Sequence, residues 1–239
     1  MRAVIVNGKM NYSIIDVKEP SATPGRVVMS VTYASLCYRD LLELMGYYPR
    51  MRFPVVLGHE AVGVIAESMD PRYKAGDRVV PMLYEPDGTC DMCLKGEEVY
   101  CRARRSYGED VDGFFAEKAS ISGNALVKVP PWISDELADL TPCVLGESMR
   151  SLRMGGRLVL IGNVNPDEAY EFKLGYAIMK DISIIGNVAA HREDIWRTFE
   201  LMRIHAVEPV VSKYGLEDFG KALDDLRSGR KIGKILLKP

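Results

Sequence analysis

Three of the five cysteines, Cys90, Cys93 and Cys101, stand close together downstream of Asp87. The run reads D-x2-C-x2-C-x7-C, and Gly88 and Gly96 make it rich in turns. Three thiolates and a carboxylate form a donor set that can close a tetrahedron around a structural zinc ion. A disulfide would consume two of the thiols and strand the third, and nothing else in the chain looks secreted. A second group is dispersed. Cys37 begins a helix, Gly58-His59-Glu60 opens a strand, and Cys143 follows Thr141-Pro142. Thiolate, imidazole and thiolate are ligands of the kind that catalytic zinc uses while keeping a fourth position open. Glu60 would serve as alternate ligand or base. Spacing alone does not join these residues, because a lone histidine is ordinarily a satisfied structural residue.

The elements that must carry these side chains fall into two grammars. Up to about residue 130 the chain is β-rich, with β-branched runs at 27–31, 61–66, 78–80 and 114–121 punctuated by Gly and Pro. One helix is expected over 38–45, where Leu41, Leu42 and Met45 share a face. From Ser134 the pattern becomes α/β. Ser134-Asp135-Glu136 suits a helix N-terminus, since a hydroxyl and acids satisfy its free amides and positive end. A helix over 147–154 should stop at Gly155-Gly156. Strands are expected at 157–161, 182–188 and 234–237, and helices at 193–205 and 216–228. The fold class is α/β with a large β part.

Composition narrows the partners. The chain has 239 residues, 47 % hydrophobic and 27 % charged, enough apolar content for a core. A net charge of −2 gives no electrostatic reason to expect nucleic acid or an anionic membrane surface. No stretch is apolar enough to span a bilayer, and the first residues run directly into the strand-like Ala3-Val4-Ile5-Val6. A cytoplasmic, reducing setting and a small-molecule substrate are expected.

Taken together, these residues resemble the zinc-containing medium-chain alcohol dehydrogenase family over almost the whole chain. Cys37-x-x-Asp40 looks like its first catalytic-zinc motif, and Gly58-His59-Glu60-x-x-Gly63 like its second. Gly76-Asp77-Arg78-Val79 resembles its G-D-x-V strand, Cys143 its third zinc ligand, and the 87–101 segment its structural-zinc lobe. Gly155-Gly156-Arg157 through Gly162 looks like a late strand of the cofactor domain, and Gly233-Lys234-Ile235 like the closing strand. The resemblance implies a GroES-like β-barrel catalytic domain over 1–145, completed by about 207–239. It implies a truncated nucleotide-binding (Rossmann) remnant over 146–206, and association into a homo-oligomer through the remaining strands. Cys37-Tyr38-Arg39-Asp40-Leu41-Leu42 and Asp112-Gly113-Phe114-Phe115-Ala116-Glu117 resemble the archaeal branch that includes acryloyl-CoA reductases. That likeness implies NADPH-dependent reduction of an activated double bond.

Two departures from the family pattern matter. Arg39 stands where the alcohol dehydrogenases carry Ser or Thr, and a permanently protonated guanidinium cannot relay the alcohol's proton. Arg39 would hold an anionic substrate or be paired with an acid such as Glu43 or Glu60. Arg102, Arg104 and Arg105 read as a solvated loop. The larger departure is the dinucleotide turn. A pyrophosphate needs G-x-G-x-x-G between strand and helix, yet no two glycines here are separated by a single residue. Roughly three βα units are missing at a join near 144–146. NAD(P) is therefore expected to belong to the parent family and not to bind here. The chain reads as a deletion variant with little or no native activity. The alternatives are a zinc-stapled oligomerising module, or a cofactor-free zinc hydrolase using Cys37, His59 and Cys143.

Overall fold

Backbone pairing along one long strand organises the first of two units. The computed structural model describes residues 1–134, 152–161, 174–205, 209–229 and 233–239. Unit one comprises Met1–Leu140 with Ala190–Pro239, and unit two Thr141–Ala189. In unit one, β1 (Arg2–Gly8) forms an antiparallel hairpin with β2 (Asn11–Asp16). Next comes β3 (Arg26–Leu36), eleven residues long, followed by α1 (Tyr38–Leu44), β4 (Val55–Val56), β5 (Ala61–Ser68) and β6 (Arg78–Pro81). A short pair, β7 (Tyr84–Glu85) and β8 (Arg105–Ser106), brackets α2 (Asp91–Leu94). β9 (Lys118–Ser122) and β10 (Leu126–Lys128) close the N-terminal stretch.

Unit two contributes β11 (Arg157–Leu160), α3 (Leu174–Lys180) and β12 (Ser183–Gly186). The chain then returns to unit one with α4 (Arg192–His205), β13 (Val211–Gly215), α5 (Phe219–Arg227) and β14 (Lys234–Lys238).

The main sheet runs β10-β6-β5-β3-β14-β13, with β9 also on β3, and the path does not close on itself among the described residues. β14 pairs antiparallel with the end of β3, Ile235 opposite Leu36 and Leu237 opposite Ala34, and parallel with β13. Alternation along β3 and β5, with β3 switching face at the register irregularity between Val31 and Tyr33, sends Val27, Met29, Leu36, Ala61 and Ile65 into a core shared with Val4, Leu57, Phe114 and Phe115. α5 caps this core. Phe219, Ala222 and Leu223 share one face at i, i+3 and i+4, and Phe219 meets Tyr12 at 5.0 Å and Phe115 at 5.7 Å between ring centroids. No helix among the described residues is long and apolar enough to cross a membrane.

In unit two, β11 and β12 pair in parallel from Arg157–Ser183 to Leu160–Gly186. Ile184 and Ile185 are each 41 % exposed, and Leu174, Ile178 and Met179 on α3 are also exposed. The expected helix start after Ser134, residues 147–151 of the expected 147–154 helix, the join at 144–146 and Cys143 lie outside the described residues. Residues 152–154 are not helical.

The expected strand over 114–121 is present only as β9. Phe114 and Phe115 are fully buried, and their amides donate to the carbonyls of Gly58 and Leu57 instead of to a long ladder. Apolar content there reflects a buried crossover. This crossover needs Gly113, because a Cβ on it would lie 1.9 Å from the Gly58 carbonyl oxygen and 2.8 Å from that of Leu57. Replacing Gly113 with Ala should therefore force the backbone apart and cost about 2 kcal/mol or more. Urea unfolding checks this, and an unchanged midpoint and slope would show that the crossover has room to spare.

Candidate metal centres

The lobe carrying Cys90, Cys93 and Cys101 is clamped at its base. Glu85, on β7, is buried and accepts from Arg26 of β3 at 3.0 Å, from the Tyr107 hydroxyl at 2.8 Å, and from Arg105 of β8. Burial pushes the Glu85 carboxyl up, but the guanidinium of Arg26 leads the partners that hold it below the usual range. Within the lobe, Asp87 Oδ1 accepts from the amides of Thr89 at 2.8 Å and Cys90 at 3.0 Å. These bonds hold the Asp87 carboxyl down at about 2. Cys90 then caps α2, which places Cys93 one turn on.

Sγ of Cys90 and Cys93 are 3.5 Å apart, Cys93 Sγ lies 3.4 Å from Asp87 Oδ1, and one donor atom from each of Asp87, Cys90, Cys93 and Cys101 falls within 4.8 Å of all the others. A zinc–sulfur bond of about 2.3 Å makes the edge of a tetrahedron about 3.8 Å, so this donor set fits zinc. Burial, and then the neighbouring Cys90, push the Cys93 thiol up to about 12 in the metal-free chain. Crowded donors of this kind hold a proton until a metal displaces it.

The second centre lies where β3 ends and β5 begins. Cys37 caps α1, and Asp40 closes a reciprocal capping arrangement by accepting the Cys37 amide at 2.8 Å. The other oxygen of this fully buried carboxylate is 3.0 Å from His59 Nδ1. The proton on Nδ1 then faces Asp40, and Nε2 is the nitrogen available to a metal. Donor atoms of Cys37, His59 and Glu60 lie within 4.8 Å of one another. Burial pushes the His59 pKa down, but Asp40 prevails and holds it well above the usual value. Glu60 is held low: burial opposes this, while Lys234, 2.5 Å away, and His59 outweigh burial. The structure thus brings together Cys37, Asp40, His59 and Glu60, with Cys143 outside the described residues.

Arg39 is paired. Its Nε donates to Glu43 at 2.7 Å and its Nη2 to Glu109 at 3.2 Å, its guanidinium stacks over Tyr48 at 4.8 Å, and its side chain is 15 % exposed. Of the two acids expected from sequence, Glu43 is the partner, reached at helical i+4 spacing. Burial pushes the Glu43 carboxyl up to about 7, and its Oε2 has no partner among the described residues. Arg104 lies over Tyr84 at 4.7 Å and Arg105 reaches Glu85, so the basic cluster is partly held at the lobe base. Sequence reasoning missed Glu85, Glu109 and Lys234 as neighbours of the two centres. A single sequence carries no local signal for contacts such as Lys234 to Glu60, 174 residues apart.

A strand-built unit presenting a thiol–carboxylate lobe and a Cys–His–Glu cluster defines a GroES-like zinc dehydrogenase fold. Residues 23–131 match the alcohol dehydrogenase GroES-like domain, and residues 135–237 match the zinc-binding dehydrogenase domain. The chain is 36 % identical over 330 aligned positions to the acryloyl-coenzyme A reductase of Metallosphaera sedula, covering 99 % of this chain and 99 % of that protein. It is 34 % identical over 334 positions to the acryloyl-coenzyme A reductase of Sulfurisphaera tokodaii, covering 100 % of both. Among solved structures, the alcohol dehydrogenase of Aeropyrum pernix superposes with a TM-score of 0.80 at 18 % identity, covering 100 % of both chains. AibC superposes with 0.82 at 19 %, covering 100 % of this chain and 96 % of its own. The chain belongs to the zinc-containing medium-chain alcohol dehydrogenase family.

Replacing Cys93 with Ser removes one corner of the lobe tetrahedron. Zinc content should fall by about one ion per chain, and the 87–101 segment should become protease-sensitive, since metal binding and folding of such a lobe are coupled. Unchanged metal content and protection would refute the assignment.

Proposed function

We propose that this chain is the metal-bearing catalytic scaffold of a family oxidoreductase that lacks the segment seating the dinucleotide, and that it has little or no native NAD(P)H-dependent activity. The observation that carries this reading is the absence of any G-x-G in 239 residues, because backbone approach to a pyrophosphate depends on that turn. The alignment lengths support it. Of the 330 positions shared end to end with the Metallosphaera sedula protein, at least 91, the excess over 239, have no residue of this chain opposite them. On this reading 1–145 is the catalytic domain, completed by about 207–239, and 146–206 is the cofactor-domain remnant. The parent activity on this reading is NADPH-dependent reduction of an enoyl-CoA, ketone or aldehyde, and the two acryloyl-coenzyme A reductase relatives favour the enoyl-CoA.

The residues fit zinc and not the dinucleotide. Cys37, His59 and Cys143 would hold a catalytic-type ion, and Asp40 orients the His59 ring. Asp87, Cys90, Cys93 and Cys101 would hold the structural one. A bound catalytic zinc supplies Lewis acidity, polarising a carbonyl or lowering the pKa of water. Arg39, with both sides of its fork on Glu43 and Glu109, neither relays a proton nor offers a free guanidinium to an anionic substrate. Without a hydride donor the site lacks half of its chemistry.

A second reading, an oligomerising zinc module, is favoured by the exposed apolar residues of β12 and α3. It is compatible with the first, because both assign a homo-oligomer formed through the strands of unit two. The reducing cytoplasm is the compartment in which the free thiols of both centres persist.

The test is turnover. The zinc-loaded protein, given NADPH with acryloyl-CoA, a ketone or an aldehyde, should consume no NADPH above a protein-free control. Consumption would overturn the proposal. Chelator-sensitive cleavage of p-nitrophenyl acetate, lost in Cys37→Ala, would instead establish the cofactor-free hydrolase.

A further inference from the structure

Between Cys101, the last donor of the lobe, and Gly113 the chain passes from one candidate centre to the other. Cys101 is fully buried. Arg105 and Ser106 form β8, which pairs with β7 over only two residues, and the Tyr107 hydroxyl donates to Glu85 at 2.8 Å. The turn that follows lies against the residues leading into His59. A Cβ on Gly108 would sit 3.1 Å from both the amide nitrogen and the carbonyl oxygen of Gly58, so the two backbones are in contact. The Glu109 carbonyl oxygen accepts the Arg52 amide at 3.0 Å, Asp112 Oδ1 accepts the Val56 amide at 3.0 Å, and the Gly113 amide donates to the Val56 carbonyl at 2.8 Å.

The same turn reaches α1, the helix that Cys37 caps. Glu109 is buried, and its Oε2 accepts Arg39 Nη2 at 3.2 Å. Nε of the same guanidinium is on Glu43, which is buried with Asp40 and His59 and has a donor atom within 4.8 Å of one from each of them. A bonded path therefore runs from Glu85 through Tyr107 and the backbone to Glu109, and on through Arg39 to Glu43.

We propose that Glu109 is a positioning residue that couples the two centres: metal in the lobe fixes the 106–111 turn, Glu109 fixes Arg39, and the second centre binds its own metal more tightly as a result. This inference rests on the reading of both donor sets as metal sites. No residue of α2 is buried and the β7–β8 pair is two residues long, so closure of the donor set on a metal decides whether the head of the path is ordered. Without that metal the Tyr107–Glu85 bond and the contact of Gly108 with Gly58 loosen, and Cys37 and His59 spread. The lobe, ordered with metal and disordered without it, is the two-state element that both sites bias. Such coupling is reciprocal, so metal at the second centre tightens the lobe by the same factor.

The experiment measures cobalt(II) affinity at the second centre of the full chain by competition with a chromophoric chelator. It is done with the lobe filled with zinc and with the lobe disabled by Cys93→Ser. His59→Ala identifies the visible bands of the second centre by removing them. Disabling the lobe should weaken cobalt binding there about fivefold or more. In the Glu109→Ala background the same step should change it by less than about twofold, since the link to Arg39 is gone. Glu109→Gln keeps an acceptor for Arg39 and should retain most of the effect. Should Cys93→Ser fold poorly, reciprocity gives a second route: the zinc affinity of the lobe should fall by the same factor in His59→Ala, and should not fall when His59→Ala is added to Glu109→Ala.

Equal cobalt affinity with the lobe filled and disabled would refute the coupling and leave both metal sites standing. A loss of the same size in the Glu109→Ala background would overturn the proposal too, because the lobe would then act by another route. No metal at the second centre in any chain would refute the reading of Cys37 and His59 as ligands, and this proposal with it.

Discussion

Backbone hydrogen bonding along β3 is the constraint on which both candidate metal centres depend. Its residues pair with β5 and β9, and its C-terminal end pairs with β14. At its start Arg26 reaches Glu85 and fixes the base of the lobe, and at its end the chain passes straight into Cys37. One strand therefore sets the position of two clusters of opposite character. Shifting its register by one residue would move every core side chain to the other face and carry Arg26 and Cys37 away from their partners.

The two clusters are stabilised differently. None of the residues of α2 in the lobe is buried, so hydrophobic packing contributes little there. The four donors Asp87, Cys90, Cys93 and Cys101 gather there, an arrangement that a bound structural metal would close in place of a core. At the second centre Asp40, Glu43 and His59 are all buried, with Arg39 between Glu43 and Glu109. Buried charges persist where they are paired, and removing one partner is costly. In this network Asp40 faces His59 Nδ1, and the Glu60–Lys234 ion pair lies beside it.

Much of this was legible in the sequence, for identifiable reasons. The lobe is local: its four donors lie within one short segment, and the structure brings all four together as their spacing suggested. The helix at Tyr38–Leu44 and the strands β3, β5, β6 and β14 followed from apolar and β-branched runs, whereas β10 and β13 of the main sheet were not expected. The motif pattern from Cys37 to Cys101 carried the family. Long-range electrostatic partners were not legible. Glu109 lies 70 residues from Arg39, and Lys234 lies 174 from Glu60, so only the folded sheet makes them neighbours. The Phe114–Phe115 segment misled in a different way, because burial and strand pairing both select apolar residues.

The central claim is that a zinc-bearing scaffold is present while the seat of the hydride carrier is absent. It is tested most directly by titrating the reduced, zinc-loaded protein with NADPH and NADH and following energy transfer from Trp132 and Trp196. Both indoles are partly exposed, and they are the only two tryptophans of the chain. The account predicts no saturable signal into the millimolar range. Saturable binding near micromolar would contradict it, for it would mean that the remaining strands have rebuilt a dinucleotide site without the glycine-rich turn.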